Sequence, residues 1–100
     1  MSKKILEMEA TLRCKVSPGM FSSERGVIIE LQDGRKVAAF IDKRHVRVDQ
    51  EPQSGREVDG YVKVSIVEIG KDFVIVDLPQ PGLTDGPRLK VSRNQIMEEN

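Results

Sequence analysis

Apolar and polar residues alternate through much of this chain. From Leu6 to Val16 the even positions are Leu6, Met8, Ala10, Leu12, Cys14 and Val16. The odd positions between them are Glu7, Glu9, Thr11, Arg13 and Lys15. Period two over this length predicts a long β-strand with one wet face, because successive strand side chains point to opposite sides. Ser17-Pro18-Gly19 then ends the strand, since Pro offers no ladder donor and Gly opens a turn. A loop through Met20 and Phe21 leads to a second strand over Gly26–Leu31, with Val27, Ile29 and Leu31 on one face. Asp33-Gly34 between two apolar runs predicts a hairpin. The third strand, Lys36–Ile41, is apolar on both faces, which predicts a central or doubly covered strand. Val46 and Val48 predict a short additional strand after Lys43-Arg44-His45.

Asp49–Gly55 reads as a polar loop. A fourth strand follows over Glu57–Ile69, and Gly60 inside it predicts a bend or bulge. Gly70-Lys71-Asp72 makes a tight turn into a fifth strand, Phe73–Leu78. Pro79 to Pro87 is a loop by composition. A sixth strand covers Arg88–Val91. Ser92 with Gln95 three residues on is a capping-box pattern, which predicts a short C-terminal helix from Arg93 to about Glu98.

These elements predict an all-β fold: a small antiparallel β-barrel or sandwich of about six strands, OB- or SH3-like, with a short C-terminal helix. No internal repeat is apparent. Each half, at about 50 residues, is too small to bury a sufficient core alone, so residues 1–100 are expected to form a single domain.

Composition narrows the classes. Sixteen Lys and Arg balance sixteen Asp and Glu, and hydrophobic residues make up 38%. The apolar share is too ordinary for a disordered tail. A pI near 6.6 does not suit a polybasic nucleic-acid coat. No run approaches the roughly 18 apolar residues of a membrane span. Glu7 and Glu9 interrupt what would be the apolar part of a leader, so a cytoplasmic protein is expected. The single Cys14 cannot form an internal disulfide. With only Phe21, Phe40, Tyr61 and Phe73 as aromatics, the core must be built from Val, Ile and Leu.

Catalytic sets are missing. Nucleophilic chemistry needs a nucleophile, a base within reach and an orienting group. Cys14 falls on the apolar face of the first strand, where a thiol stays protonated. His45 sits among Lys43, Arg44 and Arg47, with only Asp42 nearby as an acid. One Cys and one His cannot form a zinc site, no acidic spacing resembles a calcium loop, and the glycines stand singly in turns rather than in a phosphate cradle. No catalytic residue, metal or cofactor is therefore expected. An enzyme reading would need Asp42, His45 and Glu57 to meet in one deep pocket.

The charge pattern is less neutral than its sum. Residues 1–50 hold ten Lys/Arg against seven Asp/Glu, a balance of +3; residues 51–100 hold six against nine, a balance of −3. If the first three strands are neighbours, Arg13, Lys15, Arg35, Lys36, Lys43, Arg44 and Arg47 form a basic stripe suited to a phosphate backbone. Solvated strand faces explain the same charges, and no stacking aromatic is evident beside them. Met20-Phe21, two large apolar residues in a loop, either contact a partner or fold back to plug the open end of the barrel.

Gly55-Arg56-Glu57-Val58-Asp59-Gly60-Tyr61-Val62, with Val74-Ile75-Val76-Asp77-Leu78 and Val91-Ser92-Arg93-Asn94-Gln95-Ile96, resembles the S1-type RNA-binding OB barrel. The resemblance covers residues 55–96. It implies a small barrel and RNA as a ligand, with Tyr61 and Phe73 as the aromatics available to face it. The family's last two strands have no counterpart after Asn100, so the N-terminal half must supply them.

The expected function is that of a non-enzymatic β-barrel interaction module. It would contact a protein partner or a second copy through Met20 and Phe21, or act as a structural subunit. The alternative is RNA or single-stranded DNA binding through the basic stripe.

Overall fold

A computed structural model describes residues 9–79 and 88–98. These residues form eight antiparallel strands in one curled half-barrel sheet. They are β1 (Glu9–Pro18), β2 (Glu24–Glu30), β3 (Lys36–Asp42), β4 (Val46–Val48), β5 (Val58–Ile69), β6 (Phe73–Asp77), β7 (Arg88–Ser92) and β8 (Ile96–Glu98). The sheet runs β3-β2-β1-β5-β6-β7, with β4 paired to β5 and β8 paired to β1. Among the described residues, no helix is long and apolar enough to cross a membrane. The segments Met1–Met8 and 80–87 of the sequence reading lie outside the described residues.

The all-β class stands, with eight strands where about six were expected. The predicted C-terminal helix is not there. Arg93–Gln95 makes one 3₁₀ turn, and Ile96–Glu98 then extends as β8. The capping contact exists: the Ser92 amide donates to Gln95 Oε1 at 2.8 Å. It starts the turn but does not prolong it, because Ile96 pairs with Leu12 and packs against the core.

The third strand is also not central. β3 ends the sheet path, Ala38 is exposed and Phe40 is half-buried, so its second apolar face looks outward. The predicted Asp-Gly hairpin forms. Gly34 takes φ +93° and donates to the Leu31 carbonyl at 3.0 Å, and Asp33 accepts from the Arg35 amide at 3.0 Å. The bulge falls between Ile66 and Glu68 rather than at Gly60. Gly60 serves close approach instead: a Cβ there would lie 2.7 Å from both the Arg47 carbonyl oxygen and Val16 Cγ2.

Pairing registers expose a repeat that the residue pattern hides. Val46 pairs with Val62, and fifty residues on from Val46, Ile96 pairs with Leu12, itself fifty residues before Val62. The two 3₁₀ turns, Lys43–His45 and Arg93–Gln95, are offset by the same fifty residues. The Lys43 amide donates to the Ser23 carbonyl at 3.0 Å, and the Arg93 amide donates to the Asp72 carbonyl at 3.4 Å. Each half is thus a three-strand meander, a 3₁₀ turn and a short strand that crosses to the other half. Leu12 and Val62 are both equivalent and directly paired, so a pseudo-two-fold axis passes through that pair.

The even-numbered face of β1 supplies Ala10, Leu12, Cys14 and Val16 to one continuous core, which also takes Val27, Ile29, Ile41, Val62, Val76 and Val91. Thr11 is the exception to the alternation. It is buried on the outer parity where β8 pairs with β1, and its hydroxyl donates to the Met97 carbonyl at 3.1 Å. The halves are also tied by polar contacts. Gln32 donates its amide to the Lys90 carbonyl at 3.0 Å, and Gln95 Nε2 donates to the Glu30 carbonyl at 2.9 Å. Arg25, largely covered, grips both oxygens of Glu51 at 2.8 and 2.9 Å and fastens the loop between the halves to β2.

Candidate functional site

Register decides which charges meet. On the outer face, residues paired across an antiparallel ladder stand side by side. One row runs Arg47 on β4, Tyr61 on β5 and Arg13 on β1. The row related by the pseudo-two-fold runs Met97 on β8, Thr11 on β1 and Lys63 on β5. A third row sets Asp59 beside Lys15 and Lys15 beside Ile28.

The predicted basic stripe is therefore divided. Lys15 Nζ bonds Asp59 Oδ1 at 2.6 Å, which holds the Asp59 carboxyl below the usual carboxylate range; Arg13 contributes to that lowering by its charge. Arg35 folds back onto Asp33 at 2.9 Å in the β2–β3 turn. Lys36 lies at the start of β3, opposite Glu30. Arg44 pairs with Asp42 at 3.6 Å. Lys43 is exposed at the start of its 3₁₀ turn. Arg13 points its guanidinium toward the Asn94 carbonyl at 3.5 Å.

Two hollows on this face differ in kind. The larger, of about 470 Å³, has Arg13, Lys15 and Lys36 in its wall, balanced by Glu30, Glu57 and Asp59. The smaller, of about 160 Å³, is lined by Arg44, His45, Val46, Arg47, Tyr61 and Lys63, without a carboxylate in its lining. Sequence reasoning picked Arg44 and Arg47, named Tyr61 only through the family resemblance, and missed Lys63. They are distant in the chain, and only the β4–β5 register brings them together.

The middle of the outer face of β2 and β3 is apolar, between Glu30–Lys36 at one end and Glu24–Asp42 at the other. Ile28 stands beside Ala38, and Gly26 beside Phe40. The loop from Gly19 to Ser23 lies at the Gly26–Phe40 end of this face, and its Met20 and Phe21 are 72% and 68% exposed. They do not plug the barrel.

The residues considered for chemistry do not converge. Cys14 is buried, and burial pushes its thiol up to about 12, so it stays protonated near neutral pH. Glu57 lines the larger hollow while His45 lines the smaller one. Among the described residues, no three His, Cys, Asp or Glu side chains stand together as a metal site would need.

Comparison with family models, curated proteins and solved structures gives no match. The curled antiparallel sheet is compatible with a small OB-like barrel.

Proposed function

We propose that this chain is a non-enzymatic interaction module that binds an extended, apolar segment of a partner protein at the β3 edge. The exposure of Met20 and Phe21 carries this reading. A monomer gains nothing by holding two large apolar side chains in water, whereas Met and aromatic residues suit interface cores. Their loop leads into β2 at the end of the sheet where Gly26 stands beside Phe40. β3 ends the sheet, so a partner strand can add its backbone to that edge and lay alternate side chains on the same face. The S1-type likeness of residues 55–96 also favours macromolecular binding over chemistry.

The test is a partner captured by the full chain, then re-measured with Phe21→Ser and Ala38→Lys. Both positions are exposed, so the melting temperature should move by less than about 3 °C while partner affinity falls at least tenfold. Retention of the same partner by both variants would sink the proposal. Sedimentation with increasing protein concentration separates a second copy from a different partner.

A further inference from the structure

Resting on the docking role given above to Met20 and Phe21, we propose that Met20 is a modification site: a hydroperoxide oxidises its thioether to the sulfoxide, and this releases the partner. Backbone contacts hold the loop in place. The Glu24 amide donates to the Phe21 carbonyl at 3.1 Å, and the Ser23 carbonyl accepts from the Lys43 amide at 3.0 Å. At Gly19 a Cβ would lie 2.6 Å from the Glu24 carbonyl oxygen, so the chain packs closely where it enters the loop. On this fixed turn Met20 is 72% exposed, next to Phe21. The pseudo-two-fold counterpart, Gly70-Lys71-Asp72, carries no sulfur and no large apolar side chain. The fold therefore does not require Met20 at its turn.

The other sulfurs compete poorly for an oxidant. Thiol oxidation runs through the thiolate, and Cys14 is buried and protonated near neutral pH. A thioether needs no deprotonation, so access to its sulfur governs its reactivity. Met97 is 46% exposed, on a short strand paired with β1. Among the described residues Met20 is thus the most open sulfur. In the reaction the thioether sulfur attacks an oxygen of the hydroperoxide. The S–O bond forms as the O–O bond breaks, sulfur loses two electrons, and the peroxide leaves as an alcohol or as water. A thiol-dependent reductase reverses the step and returns the oxygen as water. The product is a polar, chiral side chain where a soft apolar one stood. Beside Phe21 it costs free energy to bury in an apolar interface, because its new oxygen loses water there.

The experiment treats the full chain with dilute hydrogen peroxide and locates the added oxygen by peptide mass spectrometry. Met20 should gain its oxygen before Met97, with Cys14 unmodified in the folded chain. Retention on a phenyl matrix at high ammonium sulfate then reads the exposed apolar surface with no partner present. The oxidised chain should elute earlier, as Phe21→Ser does, while Met20→Leu should keep its retention through the same treatment. The partner captured by the reduced chain should bind the oxidised one about tenfold more weakly, and a methionine sulfoxide reductase should restore it. The melting temperature should move by less than about 3 °C, because Met20 stands outside the core. The proposal is overturned if Met97 oxidises as fast as Met20, if peroxide-treated Met20→Leu loses retention as the wild type does, or if the oxidised wild type keeps its partner. The docking reading fails separately, when Phe21→Ser retains the partner before any oxidant is added.

Discussion

The two halves share a backbone plan and differ in what they show to solvent. In the N-terminal half, the outer face pairs Ile28 with Ala38 and sets Phe40 beside Gly26. In the C-terminal half, the matching strands pair Asp77 with Arg88 through two bonds of 2.9 and 3.1 Å. There Lys90 lies 4.4 Å over the ring of Phe73. The N-terminal meander turns through five residues carrying Met20 and Phe21, whereas its counterpart turns through Gly70, Lys71 and Asp72 alone. The same fold thus stands with a charged pair and a cation over a ring on this face in one half and with bare apolar side chains at mid-face in the other. The apolar face is therefore not a demand of the architecture, which is why it reads as a surface for binding.

Several experiments would break or sharpen this comparison. The largest effect belongs to the shared axis. Leu12→Ala should cost about 2–5 kcal/mol in chemical denaturation, with both halves unfolding in one transition, because Leu12 is fully buried at the pair that joins them. Two separate transitions would show that the halves are independent. Next come the equivalent positions Ala10 and Gly60. Gly60→Ala should cost about 1–3 kcal/mol, since the added methyl meets backbone and core atoms, while Ala10→Gly should cost only about 0.5–1 kcal/mol. Equal losses would deny that the two sites differ in packing.

Smaller effects concern the faces. Ile28→Asp with Ala38→Arg copies the charged pair of the C-terminal half onto the N-terminal half. It should leave the chain folded and abolish partner binding. A double variant that still binds would break the link between that face and the partner.

The smallest effect is electrostatic. Asp33, Asp59 and Asp77 are held below their ordinary values, first by hydrogen bonds from Arg35, Lys15 and Arg88 respectively. A depressed carboxyl stabilises the fold above its unfolded value and loses that contribution as pH falls through the folded value. Stability should therefore be nearly flat from pH 7 to about 5 and decline below about 4. Asp77→Asn should reduce that acid-side decline slightly. An unchanged decline would show that the Asp77–Arg88 pair contributes nothing measurable, as is common for exposed pairs.

Much of the fold was legible in the sequence, for a physical reason. Alternation reports which side of a strand is wet, so β1, β2, β5 and β6 stand within a few residues of their expected places. What failed depends on non-local pairing. Ile96 is drawn into a strand by Leu12, 84 residues away in the chain, and no local window carries that pull. β3 looked central because an apolar outward face and a covered face have the same spelling. The repeat was invisible because core positions demand only apolar volume: Leu12 matches Val62, Ile41 matches Val91, and few identities survive. The basic cluster was named in part, yet its aromatic was assigned to another context, since the register alone puts Tyr61 between Arg47 and Arg13.

The crossing of β4 and β8 has a consequence for how the chain is made. During synthesis at about 5–20 residues per second, the N-terminal half leaves the ribosome roughly 3 to 10 s before its counterpart is complete. Through that interval β1 has no β5 or β8 beside it, and β4 has no strand to join. The first half must wait with open edges, and on a crowded polysome the nearest matching strands belong to neighbouring nascent copies of the same chain.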